Sequence, residues 1–411
     1  MHQSPVSTDD RRAVWIQTIA WAVVVVIAAA VLAGFDYRTR DPDSALHADI
    51  VSDLARKPIE GWLAPEWGGH WNRQGWYREH PPGLFLLSMP LVWLGCPAPQ
   101  APFVVNAVFQ ILCLLLLQRL ARVFATNTEA RAVGWLLQLM PIAFVFRIRA
   151  NHEQLVLFFY LAALLTTEKA RTRPSWFGAT AFATVGAVLV KGVFAAIVPL
   201  SCSLWLLWRP AATPSLRRVT WAGIGLVVAV AAGSAAWYEY AYRAITSESF
   251  FGFYATQQLG LAAHQRADTA ILMVAQKLGN LGWYVGRVLW FAFPWGLILL
   301  PLLVPRVRRA WNWNAAMTRE LGLLLALAAM YVGVLSLSDR RADRYAFPAY
   351  YIVGLLGAVV SMRSVPHAGR IARALERVYP FEHVMVWAIT FVLALAPLWN
   401  RIPKFKLINN Y

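Results

Sequence analysis

The chain has 411 residues, of which 59% are hydrophobic and only 14% are charged, and its formal net charge is +17. This composition excludes a soluble globular protein, which could not bury so much apolar surface, and predicts an all-α polytopic membrane protein. The positive charge does not indicate a nucleic-acid partner, because the basic residues lie in short loops between apolar runs, where they report topology. Three scattered cysteines without a CxxC motif support neither a disulfide framework nor a zinc-thiolate site.

Apolar runs long enough to form membrane helices follow one another along the chain. The first, about residues 14–34, has no small-residue cleavage site after it and is predicted to be retained as a span. Further spans are predicted near 103–122, 131–148, 152–168, 175–190, 192–208, 219–241, 282–304, 320–337, 345–361 and 383–399, which makes about eleven in all. Two large loops, 35–102 and 242–281, separate them. We expect one transmembrane domain over 1–411, without a soluble C-terminal domain.

The segment 83–95 decides the topology. It is short for a membrane crossing and contains Pro90, so it is either a span or a helix in the membrane interface. If it does not cross, all the basic clusters fall on the cytoplasmic side, as the positive-inside rule requires. Those clusters lie at 11–12, 119–131, 169–173, 209–218, 306–319 and 363–377. We therefore interpret 83–95 as interfacial and both large loops as periplasmic.

With this topology, the candidate functional residues all lie on the outer face. The candidate bases are Asp43, Asp49, Glu79 and Glu153, and the candidate anion binders are His80, Arg147, Arg149, Lys191, Arg341 and Arg344. Lys191 lies between two apolar runs, where a charge is either functional or extends to the lipid headgroups. The turn at 339–344 is basic on the wrong side, which indicates either an anionic ligand or pairing with Asp339 and Asp343. The acids near residue 43 could also be a simple solvated loop.

An acid that faces several cations beside lipid fits one chemistry well. A sugar linked to a polyprenyl phosphate is transferred to a hydroxyl group, with the carboxylate as general base and the cations holding the leaving phosphate. Such a reaction needs no nucleotide-sugar site, and the sequence has no Gly-rich phosphate loop.

Short motifs between about residues 36 and 350 resemble a known family. They are Asp43-Ser44-Ala45-Leu46-His47-Ala48-Asp49-Ile50, Gly61-Trp62-Leu63-Ala64-Pro65, Tyr77-Arg78-Glu79-His80-Pro81-Pro82, Glu153 before Phe158-Phe159, Leu189-Val190-Lys191-Gly192, Phe293-Pro294-Trp295 and Arg344-Tyr345-Ala346-Phe347-Pro348. In this order they resemble the bacterial GT-C membrane glycosyltransferases of the protein O-mannosyltransferase and lipid A aminoarabinose transferase type. The chain departs from that family at Ser44, normally Glu, at His47, normally Tyr, at His80, normally Lys, and at Glu153, normally Asp.

The resemblance implies a GT-C fold, a catalytic Asp43 and inversion at the anomeric carbon. It implies a bacterial inner-membrane protein whose active site faces the periplasm and contains an interfacial first-loop helix. It also implies that Tyr345 belongs to the substrate site and that a divalent ion could bind Glu79 and His264. The partners implied are a polyprenyl-phosphate sugar donor, membrane lipids and an acceptor that is lipid A, an envelope glycan or a protein.

Two other functions remain open from the sequence, a lipid-linked glycan flippase or transporter and a non-catalytic lipid-binding subunit. A transporter would favour inverted repeats and ionisable groups near the bilayer centre. Here the polar groups cluster at one face, which favours the enzyme, and the presence of Asp43 argues against a non-catalytic subunit.

Overall fold

A computed structural model describes residues 15–16, 18–24, 26, 42–67, 75–138, 140–147, 149–257, 270–310, 315–338 and 341–364. The secondary structure of these residues is helical, apart from an isolated antiparallel bridge between Glu66 and Trp76. The all-helical class predicted from composition is therefore confirmed.

Fifteen α-helices within the described residues are numbered here in chain order. They are α1 Pro42–Leu54, α2 Gly83–Trp93, α3 Ala101–Ala121, α4 Asn127–Leu137, α5 Pro141–Arg147, α6 Glu153–Ala170, α7 Phe177–Lys191, α8 Ile197–Trp208, α9 Pro214–Thr246, α10 Phe250–Gln257, α11 Ala270–Phe291, α12 Trp295–Ile298, α13 Pro305–Ala310, α14 Ala315–Ser336 and α15 Phe347–Ser364. Short 3-10 helices cover Ile59–Leu63, Pro174–Trp176, Gly192–Ala196, Leu300–Leu303 and Asp343–Ala346.

Several of these elements are long and apolar enough to cross a membrane. In the described part of the chain, the candidate spans are Ala101–Ala121, Pro174–Trp208, Pro214–Thr246 and Met317–Ser336. A further pair, Val274–Phe291 and Trp295–Leu303, forms a span bent by 109°. The predicted number of about eleven spans is not confirmed, and the predicted spans 14–34 and 383–399 fall largely or wholly outside the described residues.

The stretch Pro174–Trp208 is a helical hairpin. A straight helix of its 35 residues would be about 52 Å long. Its ends nevertheless lie close together, because Arg171, just before the stretch, donates from Nη2 to the carbonyl oxygen of Pro210, just after it, at 3.2 Å. The chain reverses after Lys191 at Gly192, whose φ of +64° favours glycine. The prediction of two short helices that meet at Lys191 is therefore confirmed by these contacts.

Two predicted boundaries differ from the structure. The predicted span 131–148 is divided into α4 and α5 at Pro141, which cannot donate a backbone hydrogen bond and therefore begins a new helix. The predicted loop 242–281 is shorter than expected, because α9 continues to Thr246 and α11 begins at Ala270.

Helix α2 covers most of the ambiguous segment 83–95. Its 11 residues extend about 16 Å, too short to cross the roughly 30 Å of membrane hydrocarbon. The helix begins against the hairpin tip, since a Cβ added at Gly83 would lie 2.6 Å from the carbonyl oxygen of Leu189. Glycine at this position brings the first large loop next to Lys191.

Candidate active site

Helix α1 carries the predicted catalytic carboxylate in its first turn. Pro42 suits the first helical position, and the acidic side chain of Asp43 suits the positive end of the helix dipole. Ser44 and His47 of the same helix hold the loop before α6. The backbone N–H of Ala150 donates to Ser44 Oγ at 2.9 Å, and His47 Nδ1 donates to the carbonyl oxygen of Ala150 at 2.6 Å.

The carboxylate of Asp43 forms an ion pair with Arg344 through Oδ2 and Nη1. The Asp43 and Arg344 side chains are 31% and 23% exposed, so a ligand can reach both. Arg344 lies in the 3-10 helix Asp343–Ala346, just before α15. The pair therefore joins two segments from opposite ends of the chain.

A second ion pair lies deeper. Lys191 Nζ donates to Glu153 Oε1 at 2.7 Å, and the side chains are 5% and 2% exposed. Glu153 begins α6 and Lys191 ends α7, so each charge also has a favourable position in its helix dipole. Lys191 Nζ lies 5.2 Å from the centre of the Tyr345 ring, and Tyr254 Oη donates to the backbone carbonyl of Lys191 at 2.9 Å.

The two ion pairs border adjoining cavities. The first cavity is lined by Glu153, Val156, Lys191, Phe194, Tyr331, Arg344, Tyr345 and Phe347. The second is lined by Asp43, His47, Glu79, His80, Asn151, His152, Glu153 and Arg344. Glu153 and Arg344 contribute to both cavities, so a ligand at one cavity can contact the charges of the other.

Three histidines pack together in the wall of the second cavity. The His152 ring lies 4.8 Å from that of His47 and 4.6 Å from that of His80, between ring centres. Burial, the neighbouring His47 and the charge of Lys191 hold the pKa of His152 well below its usual value of 6.5. Its imidazole is therefore neutral at physiological pH and cannot serve as an anion-binding cation.

Comparison with known proteins agrees with this architecture. Residues 79–238 match the family described as dolichyl-phosphate-mannose-protein mannosyltransferase. ArnT from Cupriavidus metallidurans in the apo state has a TM-score of 0.63 at 18% identity, with 89% of this chain and 62% of ArnT covered. The ArnT structure bound to undecaprenyl phosphate has a TM-score of 0.60 at 18% identity, with 95% and 71% covered. The chain therefore has the GT-C fold of these structures.

A more distant structure has the same fold. The apo oligosaccharyltransferase of Archaeoglobus fulgidus has a TM-score of 0.54 at 13% identity, with 97% of this chain and 55% of that protein covered. This chain therefore spans about three fifths of the length of apo ArnT and just over half of the archaeal enzyme. No curated protein matches the sequence.

The GT-C fold brings together most of the residues predicted for the site. Those that line one or both cavities are Asp43, Glu79, His80, Glu153, Lys191, Arg344 and Tyr345. His80 lies among the acids of the second cavity, whereas Lys191 lines the first. His80, which replaces the lysine of the family that the sequence resembles, therefore does not line the same cavity as Lys191.

Other predicted residues lie elsewhere. Asp49 and Arg149 are buried outside both cavities, Arg149 with its guanidinium carbon 5.2 Å from the centre of the Phe146 ring. Arg341 donates from Nε to Asn280 Oδ1 at 2.6 Å and is also outside them. These three residues were predicted from charge and loop position alone, which do not determine side-chain direction. The Arg147 side chain and all of His264 lie outside the described residues.

Asn151, His152 and His47 line the second cavity, although the sequence did not predict them as binding residues. The polar run Asn151-His152-Glu153 at the start of the apolar helix α6 could have indicated these residues, but only Glu153 was predicted. The aromatic wall of the first cavity, formed by Phe194, Tyr331 and Phe347, was also missed, because such residues resemble ordinary core positions.

The predicted metal site is only partly described. Glu79 lines the second cavity, but its proposed partner His264 lies outside the described residues. Among the residues that are described, no group of three or more His, Cys, Asp or Glu side chains is arranged to hold a metal ion. The metal therefore stays a prediction.

Proposed function

We propose that the chain is an inverting glycosyltransferase that moves a sugar from a polyprenyl-phosphate donor to an acceptor at the periplasmic face of a bacterial inner membrane. The observation that carries this proposal is the ion pair between Asp43 and Arg344, which lies where the two cavities meet. At its reacting carbon, the transfer needs a base that accepts the proton of the incoming hydroxyl group. It also needs a cation that stabilises the outgoing phosphate, and here the base and the cation are in contact.

The first cavity suits the donor phosphate. It offers the ammonium of Lys191 and the guanidinium of Arg344, and its other wall is largely apolar or aromatic. Such a wall suits the allylic end of a prenyl chain, and the two cations suit a phosphate. The matched family is named for a dolichyl-phosphate-mannose donor, and one ArnT structure contains undecaprenyl phosphate, which supports the same donor class here.

In the proposed reaction, the acceptor oxygen bonds to the anomeric carbon as the bond from that carbon to the phosphate oxygen breaks. The electron pair of the broken bond stays on the phosphate, whose charge Arg344 and Lys191 stabilise. The acceptor proton passes to Asp43. Since attack and departure occur on opposite sides of the carbon, the anomeric configuration inverts.

The resting ion pairs give the donor a role in activating the base. Arg344 neutralises Asp43 before the donor binds, and the donor phosphate competes with that carboxylate for the guanidinium. Binding of the donor therefore frees Asp43 to accept a proton. This exchange makes the base competent when the sugar is present.

The basic residues support the proposed orientation. Glu153 and Lys191 lie at one end of α6 and α7, whereas Glu168, near the other end of α6, pairs with Arg171 and Arg209. The positive-inside rule assigns the Arg171 and Arg209 end to the cytoplasm. The site at the opposite ends of the same helices then faces the periplasm.

The proposal is tested with the purified full chain in proteoliposomes. The donors are undecaprenyl phosphates carrying radiolabelled mannose, glucose, galactose or aminoarabinose, and the acceptor source is an envelope extract of the native host. We expect chain-dependent movement of label from one donor into the extract, with the opposite anomeric configuration in the product. Movement of the intact donor between leaflets, with its sugar still attached, would instead establish a transporter.

A further inference from the structure

The loop Arg149 to His152 is fixed against the helix that carries Asp43. Ala150 makes two hydrogen bonds to α1, one with Ser44 and one with His47. The next two residues, Asn151 and His152, therefore face the same cavity as Asp43 at defined positions. Both are almost fully buried, with 2% and 1% of their surface exposed.

The amide of Asn151 has a fixed orientation. Its Oδ1 accepts a hydrogen bond from the backbone N–H of Glu153 at 3.2 Å, so its Nδ2 is the group left to bind elsewhere. That nitrogen is buried and has no hydrogen-bond partner among the described residues. A buried donor without a partner is costly, which indicates that a ligand supplies the missing acceptor.

His152 presents a second such atom. Its Nε2 is buried and lacks a hydrogen-bond partner within the part of the chain that the structure describes. The ring is held by contacts with His47, His80 and Phe85, with centre distances of 4.8, 4.6 and 5.8 Å. Two fixed, unpartnered nitrogens in one cavity wall constitute a polar binding site for a small group.

The charge of the cavity determines what kind of group fits. Among the described residues, the second cavity is lined by the carboxylates of Asp43, Glu79 and Glu153 and by a single guanidinium, that of Arg344. Lys191 lines the first cavity, but its ammonium pairs with Glu153, so among these residues three carboxylates face two cations. A phosphate monoester, with a charge of about −1.5 to −2 at pH 7, would meet this excess of negative charge. A hydroxyl group would not.

We propose that Asn151 and His152 form the acceptor subsite and that the acceptor reacts through an uncharged hydroxyl group rather than through a phosphate. This inference rests on the glycosyl transfer proposed above. A neutral imidazole and an amide can each hydrogen-bond a hydroxyl group or its neighbour on a sugar ring. They place the reacting oxygen beside Asp43, which takes its proton.

Binding of the donor increases the preference for an uncharged hydroxyl group over a phosphate. When the donor phosphate engages Arg344 and Lys191, the carboxylates of Asp43 and Glu153 lose their partners. The second cavity then becomes more negative at the moment when the acceptor must enter it. The products are a glycoside and free polyprenyl phosphate, and the hydroxyl proton resides on Asp43 until it passes to solvent.

Two measurements with the proteoliposome assay test the inference. The first is the lability of the product, because mild acid cleaves a sugar linked to phosphate but leaves a glycoside intact. The second is the amount of envelope extract that gives half-maximal transfer. We expect acid-stable product and, for His152→Ala, a half-saturating amount that is higher by roughly three- to tenfold. His152→Gln, which keeps a hydrogen-bonding group, should lose less.

A binding control separates a local effect from misfolding. The affinity of His152→Ala for radiolabelled undecaprenyl phosphate should equal that of the wild type, because that lipid binds in the first cavity. An acid-labile product would overturn the choice of hydroxyl over phosphate. Unchanged half-saturation in a folded His152→Ala protein would overturn the subsite. Absence of any chain-dependent transfer by the wild type would overturn the proposed function, and with it this inference.

Discussion

Glu153 and Lys191, 38 positions apart in sequence, meet in an ion pair of 2.7 Å at the junction of the two cavities. Both side chains are almost fully buried. Such a pair contributes little net stability, because the desolvation of both charges offsets their attraction. Removing only one of the two charged side chains has a larger effect, because the other charge is then buried without a partner.

Removing one partner should therefore destabilise the protein more than removing both. Glu153→Gln or Lys191→Met alone should lower the free energy of unfolding by about 3–5 kcal/mol, and the double variant should recover part of that loss. Thermal unfolding of the four proteins in detergent measures this. Additive losses would show that the two charges are independent.

Donor binding should depend on Lys191 and Arg344. Lys191→Ala and Arg344→Ala should each weaken binding of undecaprenyl phosphate by about 1.5–3 kcal/mol, the range for hydrogen bonds to charged groups. Arg341→Ala is the matched control, because Arg341 lies three residues from Arg344 but donates to Asn280. Equal losses in all three variants, measured by equilibrium binding, would indicate a general effect of surface charge.

The topology can be measured with single cysteines. In a background without Cys96, Cys113 and Cys202, an impermeant thiol reagent should label Ala55→Cys in intact cells, because Ala55 is exposed in the first large loop. It should label Thr172→Cys only after the cells are permeabilised, because Thr172 lies in the basic loop assigned to the cytoplasm. The opposite pattern would place the site in the cytoplasm.

Stability should fall in mildly acidic solution because of His152. Burial lowers the pKa of its imidazole below the unfolded value of 6.5, so the unfolded chain binds a proton that the folded protein does not. Unfolding is then favoured as pH falls below about 6.5, by up to about 1.4 kcal/mol per pH unit. Melting temperatures between pH 7.5 and 5.5 should fall less steeply for His152→Gln. Parallel curves would assign the acid sensitivity to other groups.

The sequence was informative where a charge had no structural reason for its position. Lys191 between two apolar runs and Arg344 in a basic turn were both predicted as anion binders, and both line the first cavity. The hairpin at Lys191-Gly192 was also predictable, because two short apolar runs meet at a charged residue and a glycine.

The sequence was less informative where side-chain direction decides the outcome. Arg341 and Arg344 belong to one turn and were predicted alike, yet only Arg344 reaches the cavities. The role of Asn151 depends on which of its amide atoms the backbone of Glu153 occupies, a contact that no residue pattern encodes. The number of spans also depends on breaks such as that at Pro141, which hydropathy averages conceal.

The central claim is that Asp43 is the base of the transfer, and Asp43→Asn tests it most directly. The substitution keeps the size of the side chain but removes the proton acceptor and the ion pair with Arg344. Its control is Asp53→Asn on the same helix, where Asp53 pairs with Arg56 at the surface. In proteoliposomes with a radiolabelled undecaprenyl-phosphate sugar, turnover by Asp43→Asn should fall at least about a hundredfold. Its affinity for undecaprenyl phosphate should be equal to or tighter than that of the wild type, and Asp53→Asn should retain normal turnover. Near-normal transfer by Asp43→Asn would contradict the account.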